Sequence, residues 1–289
     1  MTTRRLQPIH GVFLLCLVVL FFATRPGQAQ QDGLLRIYFL SVGQGDSELI
    51  EAPGGIQILI DGGPDDAVLA ELAKAIPFYD HDIDLVVVTH PHSDHISGLI
   101  DVLDRYTVGT VIEAAETYDS PQFRAWENAV AAEGARRIEA AAGQVFELGP
   151  DATLTVFYPM KSYAGVTLDA PHEANVTTML QYKQFKALFT GDMEAKGEKD
   201  LITAGDDLKA DVLKVGHHGS ATSSSQAFLD AVQPQIGIIE AGKNNIYHLP
   251  NQGVLDRYQA SGIPIHRTDQ EGTMEIISDG RQFQFLTGL

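Results

Sequence analysis

One stretch of the sequence joins an apolar strand to a histidine-rich loop: Ile83-Asp-Leu-Val-Val-Val-Thr-His-Pro-His-Ser-Asp-His-Ile-Ser-Gly98. The branched residues before Thr89 are typical of a strand buried on both faces, and such strands occur in sheets that helices cover. Imidazole and carboxylate groups follow at once, and together they suit borderline cations such as Zn²⁺. The stretch therefore predicts a metal site at a sheet edge, with four candidate ligands: His90, His92, Asp94 and His95.

A two-metal site needs ligands from other segments, because each ion takes about four of them. The segment Leu188-Phe-Thr-Gly-Asp192 is an apolar strand that ends in Gly-Asp. A carboxylate at a strand tip beside glycine can approach a metal closely, so Asp192 is predicted as the bridging ligand. His248, which precedes a predicted helix, is the candidate for the last ligand.

A second pair of histidines follows another predicted strand, in Gly216-His-His-Gly-Ser220. One of His217 and His218 is expected to bind a metal ion or to donate a proton to the leaving group. The spacing leaves open which one does so. The remaining histidines are expected to have no role in the site: His10, His81, His172 and His266.

The N-terminus has the pattern of a secretory signal, with arginines, then an apolar run, then small residues before Ala29. We expect cleavage after Ala29 and an exported protein, periplasmic or extracellular, that has no membrane contact after cleavage. The alternative is an uncleaved membrane anchor, although the apolar run is shorter than the roughly 20 residues that span a bilayer. The one cysteine, Cys16, lies in this run.

Strands alternate with helices along the rest of the chain, and several strands also follow each other in hairpins. This pattern predicts mixed sheets covered by helices. No linker rich in proline or serine divides the sequence, so residues 34–289 are expected to form one domain.

The chain is strongly acidic, with a formal net charge of −18. Loss of Arg4, Arg5 and Arg25 with the signal would make the charge three units more negative. Such a field disfavours binding to polyanions such as duplex nucleic acid. A phosphodiester substrate would need metal ions that reverse the local potential.

Several separated segments, in this order, resemble the metallo-hydrolase domain of the DNA-uptake channel family ComEC/Rec2. The resemblance covers nearly all of the chain after the signal and implies an α/β (α+β) fold of the metallo-β-lactamase superfamily, a four-layer αβ/βα sandwich. The segments are Phe39-Leu-Ser-Val-Gly-Gln-Gly-Asp46, Leu59-Ile-Asp-Gly-Gly63, residues 90–98, Phe189-Thr-Gly-Asp192, Leu213-Lys-Val-Gly-His-His-Gly-Ser220 and the segment around His248.

The resemblance also implies roles for single residues. It makes His90 and His92 ligands of one metal ion, and Asp192 the bridge. It assigns to the second ion Asp94, His95 and His248, with His218 as a further candidate. Asp61 would orient a ligand imidazole. Many superfamily members have a metal-binding histidine where this chain has residues 173–177, so Asn175 is expected to be a weak ligand or a substrate contact. Ser220 is likewise expected to support the ligands or to bind a metal ion weakly.

These residues predict a hydrolase that uses two divalent ions, zinc first, with manganese or iron as alternatives. The resemblance favours a phosphodiester substrate, either single-stranded nucleic acid or a small phosphodiester such as a choline-type head group. A metal-bound hydroxide oriented by Asp94 would attack it, and His217 or His218 would assist the leaving group. One alternative is a lactone or β-lactam hydrolase on the same metals. Another is a module with a degenerate site that binds metal or a partner without catalysis. The substrate and the oligomeric state are left open.

Overall fold

The computed structural model describes residues 19–21 and 33–288. The predicted signal peptide, residues 1–29, lies outside the described residues except for a short strand, β1 (Val19–Phe21), that pairs in parallel with residues 145–147. No helix in the described part of the chain combines the length and the apolar character needed to cross a membrane.

The first of two sheets is antiparallel at one side and parallel at the other, as the mixture of hairpins and strand–helix alternation predicts. Its strands β15, β2, β3 and β4 pair antiparallel, and β4 to β7 pair in parallel. In spatial order it consists of β16 (Phe283–Thr287), β15 (Met274–Ser278), β2 (Leu35–Phe39), β3 (Glu48–Glu51), β4 (Gln57–Ile60), β5 (Asp82–Val87), β6 (Thr107–Glu113) and β7 (Arg136–Glu139).

The second sheet has the same mixed character. Its strands β8 to β11 pair antiparallel, and β11 to β14 pair in parallel. In spatial order it consists of β1, β8 (Val145–Glu147), β9 (Ala152–Tyr158), β10 (Thr177–Tyr182), β11 (Phe185–Phe189), β12 (Val212–Lys214), β13 (Ile236–Ile239) and β14 (Ile265–Arg267).

Alternate residues along the strands face two different apolar cores. Ile58 of β4 packs between the sheets with Leu154 and Ala187 of the second sheet. Its neighbour Leu59 faces the other way, toward Leu99 of a helix. This alternation is expected because successive strand side chains point to opposite faces.

Helices cover the outer face of each sheet. Three pack on the first sheet and three on the second. The layers therefore run helix, sheet, sheet, helix, which confirms the predicted four-layer sandwich. The helices are α1 (Ala67–Ala75), α2 (Ser93–Leu103), α3 (Pro121–Glu133), α4 (Ala195–Ala204), α5 (Gln226–Val232), α6 (Gln252–Ala260) and the short α7 (Thr268–Glu271).

Helix α2 begins at Ser93, inside the histidine-rich loop that follows β5. His92 is extended, and the helix starts directly after it. Asp94 and His95 therefore lie in the first helical turn, where free backbone N–H groups favour a carboxylate. The start of the helix thus fixes two of the candidate ligands.

A glycine lets α2 pack against the loop that carries Asp61. The Gly98 N–H donates to the Gly63 carbonyl at 3.0 Å. A Cβ on Gly98 would lie 2.0 Å from the Gly62 carbonyl oxygen, which no side chain tolerates. This close approach brings Asp61 and the ligands of α2 together.

The change Gly98→Ala is expected to lower the free energy of unfolding by about 1–3 kcal/mol or more, because α2 must move away from this loop. Urea denaturation followed by circular dichroism measures the effect. Gly253→Ala in the first turn of α6 is the control, since its Cβ would meet the Asn251 side chain at 3.2 Å. Equal stability of the two variants would contradict the packing argument.

Candidate metal centre

The candidate ligands lie at one edge of the sandwich because they follow strands that run in parallel. The loop of residues 88–92 follows β5, and Asp61 follows β4. Asp192 follows β11, and His217 and His218 follow β12. Parallel strands bring their carboxyl ends to the same edge of a sheet. Each sheet thus contributes ligands to one site.

A first group contains three imidazoles and one carboxylate, from His90, His92, His172 and Asp192, with one ligand atom of each within 4.8 Å of the others. His92 Nδ1 lies 2.9 Å from His90 Nε2 and 3.1 Å from His172 Nε2. His172 Nε2 is 3.7 Å from Asp192 Oδ2. His172, expected to have no role, is thus part of this group.

A second group contains Asp94, His95 and His218. His218 Nε2 is 3.4 Å from Asp94 Oδ2 and 3.6 Å from Asp192 Oδ1. His95 Nε2 is 3.5 Å from the same Asp192 oxygen. Asp192 therefore directs Oδ1 to the second group and Oδ2 to the first, which is the arrangement that a bridging carboxylate requires.

Buried polar atoms show that the site fits a cation. In the described chain, His95 Nε2, His218 Nε2 and Asp192 Oδ1 are buried and have no hydrogen-bond partner. Each such atom costs about 1–3 kcal/mol when left unsatisfied. Asp192 Oδ1 lies 3.5 Å from His95 Nε2 and 3.6 Å from His218 Nε2. Lone pairs that converge at this spacing match the ligand set of a divalent ion.

The imidazoles of the two groups have opposite electrostatic environments. Burial lowers the pKa of His90 well below its usual value, and burial together with His172 lowers that of His92 to about 4. In the second group, burial is outweighed by Asp192 and Asp46, which raise the pKa of His218 to about 10. First-group imidazoles are neutral and ready to bind metal, whereas His218 must release a proton.

Asp61 holds His95 in position. Its Oδ2 lies 2.7 Å from His95 Nδ1, so His95 Nε2 is left to face Asp192. Thr89 donates to Asp61 from its backbone N–H at 2.8 Å and from its hydroxyl at 2.6 Å. The carboxylate is fully buried. This is the geometry of a residue that orients a ligand imidazole.

His218 has a similar partner, which the sequence analysis missed. Its Nδ1 lies 3.0 Å from Asp46 Oδ1 and 3.0 Å from the Glu240 carbonyl. Asp46 also pairs with the fully buried Lys214. A lysine inside the apolar strand β12 is a signal that could have indicated a buried partner carboxylate.

Asn175 shapes the turn that carries Asp192. Its Oδ1 accepts from the Asp192 N–H at 2.9 Å, and its Nδ2 donates to the Thr190 carbonyl at 2.8 Å. The amide oxygen and nitrogen of Asn175 thus form hydrogen bonds within the protein. This role differs from the weak metal ligand or substrate contact that was expected. His172, three residues before Asn175, brings an imidazole to the first group.

Three other predicted site residues lie outside the two groups. His217 is partly exposed, with Nε2 3.6 Å from Asp192 Oδ2. The Ser220 hydroxyl shares a 3.0 Å hydrogen bond with that of Thr222. His248 is exposed on the loop before α6, and its role as a metal ligand stays a prediction.

The sequence between residues 40 and 242 matches the family described as the metallo-beta-lactamase superfamily. The chain belongs to this superfamily. The superfamily's metal-dependent hydrolase fold explains why His and Asp side chains from both sheets meet at one edge. Divalent metal binding follows from this fold and from the two groups.

Individual relatives confirm the resemblance to the ComEC/Rec2 family. ComE operon protein 3 of Bacillus subtilis is 31% identical over 258 residues, which cover 82% of this chain and 32% of that protein. Recombination protein 2 of Haemophilus influenzae is 26% identical over 272 residues, which cover 92% and 31%. The chain thus spans about a third of the length of these two relatives.

A solved structure supports the fold alone. The metallo-beta-lactamase fold protein YhfI from Bacillus subtilis has a TM-score of 0.56 with this chain at 11% identity. The match covers 84% of this chain and 99% of that one.

A cleft of about 450 Å³ opens onto both groups of this superfamily site. Beyond the candidate ligands and Ser93, the described residues that line it are Gln44, Tyr118, Ser120, Gln122, Tyr247 and Leu249. None of these is a lysine or an arginine. The positive charge in the cleft must therefore come from metal ions and from protonated histidine.

Raising the pH is expected to destabilise the metal-free protein. The pKa of His218 is about 10 when folded against 6.5 ordinarily, so its contribution is full below about 6.5 and is lost as the pH rises through about 10. Glu48 acts in the same direction, because burial raises its pKa from 4.5 to about 8 and the folded state keeps the proton.

Urea unfolding in the presence of a chelator, at about pH 7.5 and about pH 9, measures this effect. Both values lie above the pH range in which the lowered pKa values of His90 and His92 make stability rise with pH. The free energy of unfolding should be lower at the higher pH, and metal should reduce the difference by replacing the proton on His218. A metal-free protein that is equally stable at both pH values would contradict this electrostatic account.

Proposed function

We propose that the chain is a binuclear metal-dependent hydrolase that cleaves phosphodiester bonds, with zinc as its metal. The observation that carries this proposal is the placement of Asp192, which offers one oxygen to each of the two ligand groups. A mixture of imidazole and carboxylate ligands suits zinc, and manganese and iron are the alternatives that metal analysis would reveal.

The ions, when bound, would supply a water nucleophile that ionises near neutral pH and positive charge for the phosphoryl oxygens. Asp94 lies at the open side of the second group, where its carboxylate can accept a hydrogen bond from the nucleophile and orient it. Asp61 and Asp46 hold His95 and His218 in fixed rotamers, which keeps the site organised before substrate binds.

His217 is the residue that we assign to the leaving group. Because His218 belongs to the second ligand group, we assign the role of proton donor to His217. It lines the cleft, is partly exposed, and directs Nε2 toward the space beside Asp192. A donor at this place can protonate an alkoxide as the phosphodiester bond breaks.

The walls of the cleft favour a small phosphodiester or a short single strand. Without lysine or arginine among its described lining residues, the cleft offers no track for a long polyanion, and the net charge of −18 repels one. Tyr118 and Tyr247 provide rings on which a planar group can stack.

Metal content by elemental analysis, together with hydrolysis of bis-p-nitrophenyl phosphate, tests this function. Wild type should hold two ions per chain, and Asp192→Ala should lose at least about a hundredfold in activity together with bound metal. Asp207→Ala is the control, because this exposed carboxylate belongs to neither ligand group and contacts only the surface Lys186 ammonium and the Lys209 backbone N–H among the contacts described. Turnover of a lactone or a cephalosporin with an inert phosphodiester would overturn the proposal.

The role of His217 has its own signature. His217→Ala should lower kcat about 10²–10⁴-fold for a phosphodiester with an alkyl leaving group and much less for p-nitrophenolate, which departs without a proton. Metal content should stay at the wild-type value. An equal loss on both substrates would assign His217 to another step.

We also propose that the chain is exported and cleaved after Ala29. The pattern of arginines, apolar run and small residues supports this. N-terminal sequencing of protein secreted with its own leader should begin at Gln30. Protein that keeps Met1 and fractionates with membranes would favour the anchor instead.

A further inference from the structure

One carboxylate lies between two histidines of the site without belonging to either ligand group. Glu194 directly precedes α4, two residues after Asp192. Its Oε1 is 3.7 Å from His172 Nδ1 and 3.5 Å from His217 Nδ1. The same oxygen therefore faces the Nδ1 atoms of both imidazoles.

The two imidazoles are oriented alike. His172 Nε2 is 3.7 Å and His217 Nε2 is 3.6 Å from Asp192 Oδ2. Their ring centroids are 4.6 Å apart. Each ring thus spans the space between Glu194 on one side and Asp192 on the other.

We propose that Glu194 is a positioning residue that orients both His172 and His217. Its carboxylate faces the Nδ1 atom of each ring, which favours the His172 tautomer with its proton on Nδ1 and holds the direction of both rings, so that both Nε2 atoms face the cleft. The Thr222 hydroxyl, 3.2 Å from His217 Nδ1, contacts the same atom of that ring. Asp61 orients His95 and Asp46 orients His218. Glu194 differs because one carboxylate serves a metal ligand and a neighbouring histidine at once.

This shared partner couples two parts of the site. A displaced Glu194 would release His172 in the first group and His217 in the cleft wall together. The inference rests on the proposed function only in that His172 binds metal, and it does not depend on the substrate.

A third cation between Glu194, His172 and His217 is the competing arrangement, since these side chains also lie close enough to share an ion. His172 would then hold an ion at each nitrogen and would have to lose both ring protons. Loss of the second proton from an imidazole is strongly unfavourable near neutral pH, because neutral imidazole keeps one N–H. The positioning role requires no such step.

Cobalt(II) titration of the metal-free full chain, followed by its visible spectrum and by competition with a chelator, tests the proposal. His172→Ala identifies the binding step and the absorption bands of the first group. Glu194→Ala should weaken that step about 10–100-fold and alter those bands, with the second step unchanged. Glu194→Gln should lie between wild type and alanine, because its amide oxygen still accepts a hydrogen bond.

Glu173→Gln is the matched control, because Glu173 adjoins His172 in sequence while its carboxylate pairs with Lys196 at the surface. This variant should bind cobalt as wild type does. Wild-type affinity and spectrum in Glu194→Ala would overturn the proposal. So would a third bound ion in wild type that Glu194→Ala alone removes, since Glu194 would then be a ligand.

These readouts separate the two proposals. A weakened first step in Glu194→Ala supports the positioning role even if wild type hydrolyses no phosphodiester. Conversely, phosphodiesterase activity with unchanged cobalt binding in Glu194→Ala would leave the proposed function standing and remove the role of Glu194. Thermal melting of each metal-free variant checks that the chain is folded before titration.

Discussion

The Asp192 carboxylate is the interaction on which the rest of the site depends. Five imidazoles lie within 4.0 Å of its oxygens. Its pKa is held well below the usual range because His218 and His95 outweigh the effect of burial. Hydrogen bonding and backbone conformation fix its position. The Asn175 side chain accepts a hydrogen bond from the Asp192 backbone N–H, and Gly191 adopts a left-handed conformation. A Cβ at Gly191 would lie 2.6 Å from the Asn175 oxygen. The turn therefore admits only glycine before the aspartate.

Several histidines around the Asp192 carboxylate are each paired with another carboxylate, which is buried or partly buried. Asp61, Asp46 and Glu194 each face the Nδ1 of a histidine whose Nε2 points inward. The two groups nevertheless differ in charge, because acids surround His95 and His218 more closely than they do His90 and His92. A metal ion that binds the second group must therefore displace a proton from His218, whereas one that binds the first group finds His90 and His92 already neutral.

The sequence predicts what lies close together along the chain. His90, His92, Asp94 and His95 follow one buried strand, and Asp192 follows another, so strand ends and ligand chemistry locate them together. His172 was missed because it lies in a short 3-10 turn, Pro171–Ala174, with no strand before it to indicate the sheet edge. Asp46, Lys214 and Glu194 depend on packing between distant segments, which local patterns do not encode. His248 is exposed on the loop before α6, and its assignment as a metal ligand stays a prediction.

The origin of the ligands has a consequence for assembly of the domain. The N-terminal half of the chain builds most of the first sheet and supplies His90, His92, Asp94 and His95. The C-terminal half builds most of the second sheet and supplies His172, Asp192 and His218. Metal bound here would act as a cross-link between the two halves, much as a disulfide does, in a chain whose one cysteine is Cys16 near the N-terminus. Two fragments divided between β7 and β8 would each carry an incomplete metal site. Metal binding would therefore stabilise the complex of the two fragments, because neither fragment alone provides the full ligand set.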